Sequence, residues 1–193
     1  MARIAFIVAN DFEDSEFRVP YEQAKQAGHE PVIIGLEAGK QLKGKKGQEV
    51  ITVERAVKDV QAKDFQALVV PGGYSPDHLR ADTAMVGFVR DLFEADKPIA
   101  AICHGPWMLV EADIVEDRTV TSFKSIKTDL LNAGARWVDR EVVEDGNLIT
   151  SRKPDDLKAF CAALLRQVSE GIASRLESPR ASDAASPQAS ATH

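Results

Sequence analysis

Apolar residues occur along much of the chain as short runs that alternate with segments of helical spacing. A short apolar run flanked by turn residues predicts a strand, whereas apolar residues at every third or fourth position predict a helix. We therefore expect strands at residues 3–9, 31–36, 49–53, 67–70 and 99–102. We expect helices at residues 15–27, 83–95, 125–132 and 154–168, and a hairpin around Asp145-Gly146.

The order of these elements predicts an α/β fold. Strands that alternate with helices form a mostly parallel sheet with helices on both faces. Residues 67–70 are apolar throughout, as expected for a strand that is buried on both sides. Because ligands in such folds bind beyond the carboxyl ends of the strands, we expect functional residues in the loops that follow them.

The composition is that of a single domain. The chain has 193 residues, of which 44% are hydrophobic, and this is enough for one core of ordinary size. We expect the domain to span residues 1–170 and residues 171–193, rich in Ser, Ala and Pro, to form a disordered tail.

The charge and the cysteine content limit the expected partners and location. With 30 acidic and 24 basic residues the net charge is −6, and no long basic block occurs, so neither nucleic acid nor a membrane is an expected partner. The first apolar run is short for a signal peptide, and two cysteines make no disulfide framework. We therefore expect a cytoplasmic protein.

Cys103 has the sequence environment of a nucleophile. It lies between the apolar run 98–102 and a helical segment, which predicts a sharp strand-to-helix turn, a nucleophile elbow. Ala101 and Gly105 leave room for such a turn, and N–H groups at the start of the helix are expected to stabilise a thiolate. The alternative, a buried and inert cysteine, is our interpretation of Cys161 in the last helix.

Two of the four histidines are candidate bases. His104 adjoins Cys103, and His78 lies in the loop after residues 67–70. The same loop carries Asp77, a carboxylate that can orient an imidazole or, alternatively, lie in an exposed turn or helix cap.

Gly72 and Gly73 follow the buried run 67–70. Consecutive glycines let a backbone approach a ligand closely. We expect their N–H groups to hold an oxyanion together with the N–H of His104.

An acidic cluster follows the first strand at the same edge of the sheet and includes Glu13, Asp14 and Glu16. A carboxyl group close to a thiolate stays protonated and can donate a hydrogen bond to the sulfur. Alternatively, Asp14 or Ser15 caps the following helix, and the glutamates complement its dipole. Both interpretations can hold for different members of the cluster.

Four segments together resemble the ThiJ/PfpI superfamily, specifically its PfpI-type branch of intracellular peptidases and stress proteins. They are residues 10–16, 71–73, 101–106 and 150–155, and the similarity extends over residues 3–168. The resemblance implies a flavodoxin-like three-layer sandwich. It also implies a catalytic cysteine at Cys103, its histidine at His104, a glutamate that contacts the thiol at Glu16, and Glu13 nearby in the pocket.

The resemblance further implies an oligomer. PfpI-type members complete a cysteine, histidine and acid triad with an acid from the neighbouring subunit, and that position is Asp77 here, where the peptidase-like members have glutamate. We therefore expect a homodimer, or a hexamer built from dimers. A second departure is Phe123, where some relatives have tyrosine.

The function that the resemblance implies is a stress-response, cysteine-dependent hydrolase. It is expected to act on glycation adducts or reactive carbonyls through the Cys103 thiolate, as a deglycase or glyoxalase. One alternative is an intracellular cysteine peptidase whose triad is completed across an interface. Another is a redox sensor or chaperone without enzymatic activity that uses oxidation of Cys103.

Other enzyme classes do not fit the sequence. A class I glutamine amidotransferase needs a His-x-Glu pair after its cysteine, and the only histidine after His104 is His193 in the expected tail. The cysteines and histidines lack zinc spacing, and the glycines form no nucleotide-binding loop, so we expect neither a metal nor a cofactor.

Overall fold

A computed structural model of the chain describes residues 1–177. Its strands are β1 (Arg3–Ile7), β2 (Glu30–Gly35), β3 (Gln41–Lys43), β4 (Val50–Thr52), β5 (Arg55–Ala56), β6 (Ala67–Val70), β7 (Ile99–Ile102), β8 (Thr119–Val120), β9 (Arg136–Trp137), β10 (Val142–Asp145) and β11 (Leu148–Ser151). Its α-helices are α1 (Asp14–Gln26), α2 (Ser75–Leu79), α3 (Thr83–Glu94), α4 (Pro106–Glu111), α5 (Lys127–Asn132) and α6 (Leu157–Glu177). The expected elements are present, most of them within two residues of the expected ends.

Seven strands form the central sheet in the order β10-β11-β7-β6-β1-β2-β5. Neighbouring strands are parallel except for β10 and β11, which form an antiparallel hairpin with Asp145 opposite Leu148. The expected hairpin is therefore confirmed. β3 pairs with β4, and β8 with β9, in two small separate sheets.

Helices cover both faces of the central sheet. α1 and α6 pack together on one face, over a core that contains Phe6, Phe17 and Phe160. α2, α3, α4 and α5 lie on the other face, over a core that contains Leu68 and Met108. The arrangement confirms the expected flavodoxin-like three-layer sandwich. No helix within residues 1–177 has the length and apolar character needed to cross a membrane.

The end of the last helix differs from the expectation. After a 3₁₀ turn at Pro154–Asp156, α6 continues to Glu177, so the expected domain boundary at residue 170 falls inside this helix. Residues 171–177 are helical and not a disordered tail. The rest of the expected tail, residues 178–193, lies outside the described residues.

The strand order brings three loops together. β1, β6 and β7 are neighbours in the middle of the sheet, and they run in the same direction. The loops at their carboxyl ends lead to Glu16, Gly72 and Cys103, respectively. The acidic cluster, the paired glycines and the cysteine therefore meet at one edge of the sheet.

Candidate active site

Cys103 lies on a nucleophile elbow. Its φ of 62° is in the left-handed region, which non-glycine residues rarely adopt. Its N–H donates to the Ser151 carbonyl at 3.0 Å, and its carbonyl accepts from the Phe123 N–H at 2.9 Å. A Cβ at Gly105 would lie 2.4 Å from the Val70 carbonyl oxygen, so the turn has no room for a side chain there. The expected elbow and the expected need for a small residue are both found.

His104 is in place as the base for the thiol. Its Nδ1 lies 3.2 Å from the Cys103 Sγ, and its Nε2 lies 3.0 Å from the Ser125 Oγ. The ring stacks on Phe123 with centroids 5.2 Å apart, and it meets the edge of Trp107 at 5.1 Å. Partial burial, followed by the charge of Lys45, lowers the pKa of His104. The imidazole is therefore neutral at neutral pH and able to accept a proton.

Glu16 is fully buried next to the cysteine. Its Oε2 accepts a hydrogen bond from the Gly72 N–H at 2.8 Å, whereas Oε1 is buried without a conventional partner. Burial, reinforced by the charge of Glu13, raises the pKa of Glu16 to about 8. The carboxyl is thus mostly protonated at neutral pH, and it interacts with the Cys103 thiol. This agrees with the protonated carboxyl expected from the acidic cluster.

The thiol and this carboxyl titrate as a coupled pair. Burial raises the pKa of Cys103, and an ionised Glu16 raises it further, whereas the backbone N–H groups of Gly73 and His104 act in the opposite direction. Burial therefore works against the thiolate that the sequence led us to expect. A proton on Glu16 removes this repulsion, and because both pKa values are raised, to about 8 and about 12, the carboxyl and the thiol are both mainly protonated at neutral pH.

Gly72 has a different role from the one expected. Its N–H is taken up by Glu16 and is not free to hold an oxyanion. A Cβ at this position would lie 2.6 Å from the Glu16 Oε2 and 2.7 Å from the Cys103 Cβ. Gly72 therefore allows the acid and the nucleophile to meet, and the N–H groups directed at the sulfur are those of Gly73 and His104.

Glu13 caps α1, whereas the alternative interpretation of the acidic cluster gave this role to Asp14 or Ser15. Its Oε2 accepts from the N–H groups of Ser15 and Glu16, both at 3.0 Å, and its Oε1 accepts from the Lys46 Nζ at 2.5 Å. Burial alone would raise the pKa of Glu13, but these hydrogen bonds outweigh it and lower the pKa. Glu13 is therefore an ionised cap at the wall of the pocket and not a proton donor to the sulfur.

Asp14 fixes the turn between β3 and β4. Its buried carboxylate accepts from the N–H groups of Lys46, Gln48 and Glu49 at 2.8–2.9 Å. The same turn is joined to the first loop by the Lys45 N–H, which donates to the Phe12 carbonyl at 2.9 Å. The basic turn, which the sequence shows only as a charged segment, is thereby placed over the cysteine.

Asp77 and His78 are not part of this cluster within one chain. Asp77 is exposed on α2 and forms an ion pair with Arg80 at 3.2 Å. His78 lies 3.7 Å from Asp11 and lines a separate cavity of about 220 Å³. Of the two candidate bases, the structure brings only His104 to Cys103.

A cavity of about 290 Å³ opens beside Cys103. Besides the residues described above, its walls include Lys45, Lys46, Tyr74, Phe123 and Pro154. Tyr74 and Phe123 are exposed aromatic residues, at 65% and 40%. Within residues 1–177 no group of three or more His, Cys, Asp or Glu side chains is arranged to hold a metal ion.

Comparison with known sequences identifies relatives of this chain. The model of the DJ-1/PfpI family matches residues 2–167. Protein/nucleic acid deglycase 2 of Escherichia coli (strain K12) is 47% identical over 165 residues, which cover 85% of this chain and 96% of the relative. In Bacillus subtilis (strain 168), YraA, named provisionally as a cysteine protease, is 47% identical over 82% of this chain and 93% of its own length. General stress protein 18 of the same organism is 46% identical over 82% and 92%.

A solved structure agrees with these relatives. A two-domain protein from Anabaena variabilis, with DJ-1/ThiJ/PfpI-like and ferritin-like domains, superposes with a TM-score of 0.87 and 38% identity. The superposition covers 95% of this chain and 52% of that protein, so this chain spans about half of its length.

Proposed function

The chain belongs to the DJ-1/PfpI family, and from that premise we propose that it is a stress-response, cysteine-dependent hydrolase of reactive carbonyls or glycation adducts. The observation that carries the proposal is Cys103 on its elbow, 3.2 Å from a neutral histidine and beside a buried, protonated Glu16. The relatives named as a deglycase and a general stress protein support this substrate class and this role.

The site has the groups that attack on a carbonyl requires. The Cys103 sulfur adds to the carbonyl carbon, a C–S bond forms, and the C=O double bond becomes a C–O single bond. The N–H groups of Gly73 and His104, which are directed at the sulfur, stabilise the negative oxygen. His104 accepts the thiol proton, and Glu16 supplies the proton that converts the oxygen to a hydroxyl. Where the substrate is an amine adduct, the amine leaves from this carbon as the C–S bond forms. The proton on the sulfur-bearing carbon then moves to the neighbouring carbonyl carbon, which gives a thioester with no net oxidation. Water adds to the thioester carbonyl, the C–S bond breaks, a 2-hydroxy acid leaves, and Cys103 regains its proton.

We place Asp77 at a subunit interface, as the acid given to the site of a second copy. Its exposure and its position outside the Cys103 cluster of its own chain support this assignment. The active unit is then a homodimer or a hexamer built from dimers, and a cytoplasmic location accompanies the proposal because Cys103 and Cys161 are both free thiols.

The test is the hydrolysis of a methylglyoxal-derived adduct by the wild type and by Cys103→Ser, with the oxidation state of the thiol checked by intact mass. Cys161→Ala is the matched control, because Cys161 is also buried but lies on the core-facing side of α6. We expect turnover in the wild type and in the control and none in Cys103→Ser.

Two other results would replace the proposal. Cysteine-dependent cleavage of a fluorogenic peptide, without turnover of the adduct by the reduced protein, would make the chain a peptidase. Selective oxidation of Cys103 by mild peroxide, with neither substrate turned over, would make it a redox sensor.

A further inference from the structure

The cavity beside Cys103 has an uncompensated positive charge. Besides the thiol, the imidazole and the Tyr74 phenol, four titratable groups line it: Glu13, Glu16, Lys45 and Lys46. Glu13 and Lys46 neutralise each other through their 2.5 Å ion pair. Glu16 is mostly protonated at neutral pH, and His104 is neutral. The ammonium group of Lys45 is left without a counter-charge.

Lys45 forms no side-chain hydrogen bond or ion pair with any other residue in the part of the chain that the structure describes. Its charge nevertheless acts on the reacting groups, since it lowers the pKa values of Glu16, Cys103 and His104. An ammonium group that faces a nucleophile without a partner is available to a ligand.

The backbone that carries Lys45 is fixed although its side chain is exposed. The Lys45 N–H is bonded to the Phe12 carbonyl, and the N–H of the next residue is bonded to Asp14. The backbone therefore holds Lys45 at the cavity that it lines, while the flexible side chain lets the ammonium group adjust to a ligand.

We propose that Lys45 determines substrate specificity by binding an anionic oxygen group, a carboxylate or a phosphate, on the carbonyl compound or adduct that Cys103 attacks. This rests on the proposed function. A lysine ammonium suits such a group as a point charge and does not require the planar geometry that arginine prefers. The net charge of the chain is −6, so the attraction is a property of this cavity and not of the whole molecule.

The test is alkylation of Cys103 by two iodomethyl reagents of similar size, the anion iodoacetate and the neutral iodoacetamide, with the rate ratio compared between variants. In both reactions an S–C bond forms, iodide leaves, and the thiol proton passes to a base. The ratio of the two rates cancels the effect of Lys45 on the thiolate fraction, because that fraction is common to both reagents. It therefore reports only the attraction of the anion.

We expect Lys45→Met to lower the iodoacetate to iodoacetamide ratio about fivefold, as estimated for one charge acting across a partly solvated cavity. Lys45→Arg should preserve the ratio, and salt at about 1 M should reduce it in the wild type. Lys63→Met is the matched control. It removes the same charge from the segment before β6, at the opposite edge of the sheet, and should leave the ratio unchanged. An unchanged ratio in Lys45→Met overturns the proposal.

Two further experiments identify the anionic group that Lys45 binds and test whether this binding affects turnover. Protection of Cys103 from iodoacetamide by acetate, but not by inorganic phosphate, assigns a carboxylate, and the reverse assigns a phosphate.

For turnover we compare methylglyoxal hemithioacetals of N-acetylcysteine and of its uncharged amide, under excess thiol. We expect Lys45→Met to lower kcat/KM for the charged adduct only. Equal kcat/KM values for the two adducts in the wild type overturn the specificity while leaving the proposed function intact, whereas no turnover of either adduct contradicts the proposed function itself.

Discussion

Glu16 is fully buried beside Cys103, and burial raises the pKa of its carboxyl to about 8. The folded protein therefore binds a proton that the unfolded chain, with a pKa near the ordinary value of 4.5, releases. Where the folded state binds more protons, stability falls as the pH rises. The contribution of the Glu16 proton to the stability of the folded state is fully present below about pH 4.5, and it is lost progressively as the pH rises towards about 8.

We expect Glu16→Gln to reduce this loss. The amide keeps a donor next to the sulfur but cannot ionise, so the fall in Tm between about pH 5 and pH 9 should be smaller by several degrees than in the wild type. Glu22→Gln is the control, because Glu22 lies on the same helix at the surface. If Tm falls as steeply in Glu16→Gln as in the wild type, Glu16 does not carry the proton that we assign to it.

Ser125 is a second residue for which the structure predicts a role in the site. Its Oγ lies 3.0 Å from the Nε2 of His104. When His104 accepts the thiol proton on Nδ1, its Nε2–H donates to this hydroxyl and the imidazolium is stabilised. We expect Ser125→Ala to lower kcat/KM about fivefold, the value of one hydrogen bond of roughly 1 kcal/mol. The pKa of His104 should fall with it, so the acidic limb of the pH profile should move to lower pH.

Ser125→Thr keeps the hydroxyl at an exposed position and should restore both the rate and the profile. A fall in rate with an unmoved profile would mean that Ser125 only supports the local structure.

Some of these residues could be predicted from the sequence, and others could not. Cys103 and His104 belong to one local pattern, and Glu16 lies at a fixed distance after a strand that meets them at the same sheet edge. The capping of α1 by Glu13 is a local contact, but the acidic pattern does not distinguish Glu13 from Asp14 as the cap. The use of the Gly72 N–H by Glu16 depends on how two loops distant in sequence meet in space. Spacing along the chain contains no signal for that pairing.

Asp14 gives a prediction at the scale of an element, because its carboxylate holds the turn between β3 and β4 through three backbone N–H groups. Removal of the carboxylate leaves these groups to water, which compensates for part of the loss. We expect Asp14→Ala to lower the free energy of unfolding by about 1–3 kcal/mol, measured by denaturant titration. We also expect it to reduce the preference of Cys103 for iodoacetate over iodoacetamide, since the turn that carries Lys45 is no longer fixed.

Asp91→Ala is the control for this change. It removes a carboxylate from the exposed face of α3 and should alter neither stability nor the alkylation ratio beyond small effects. If Asp14→Ala destabilises the fold but leaves the ratio unchanged, the position of Lys45 does not depend on this tether.

The accuracy of the predicted elements follows their burial. β6 and β7 end at the predicted residues because they are apolar throughout and buried on both faces. β3 was missed because it has three residues, of which only Leu42 is buried. α6 extends beyond the predicted end because the helix continues past the last residues that pack on the core. The apolar pattern marks only the packed residues, so the predicted helix ends earlier.

At the scale of the molecule, the strand order explains which of the expected site residues one chain brings together and which it keeps apart. β1, β6 and β7 deliver Glu16, Gly73 and Cys103 to the same edge of the sheet. α2 begins directly after this point and carries Asp77 to the surface, where it pairs with Arg80. Our proposal assigns this exposed carboxylate to the site of a neighbouring subunit, as the resemblance led us to expect.

Co-assembly of two inactive variants tests whether Asp77 acts across an interface. Cys103→Ser lacks the nucleophile, and Asp77→Asn lacks the acid, so each homo-oligomer should be impaired. In a two-fold interface, a mixed dimer combines the Cys103 of one subunit with the Asp77 of the other and restores one site. Refolding the variants together in equal amounts should return about a quarter of the wild-type activity, since about half of the dimers are mixed and each has one intact site. Full activity of Asp77→Asn alone, or no recovery on mixing, would show that the site is complete within one chain or that Asp77 serves its own subunit.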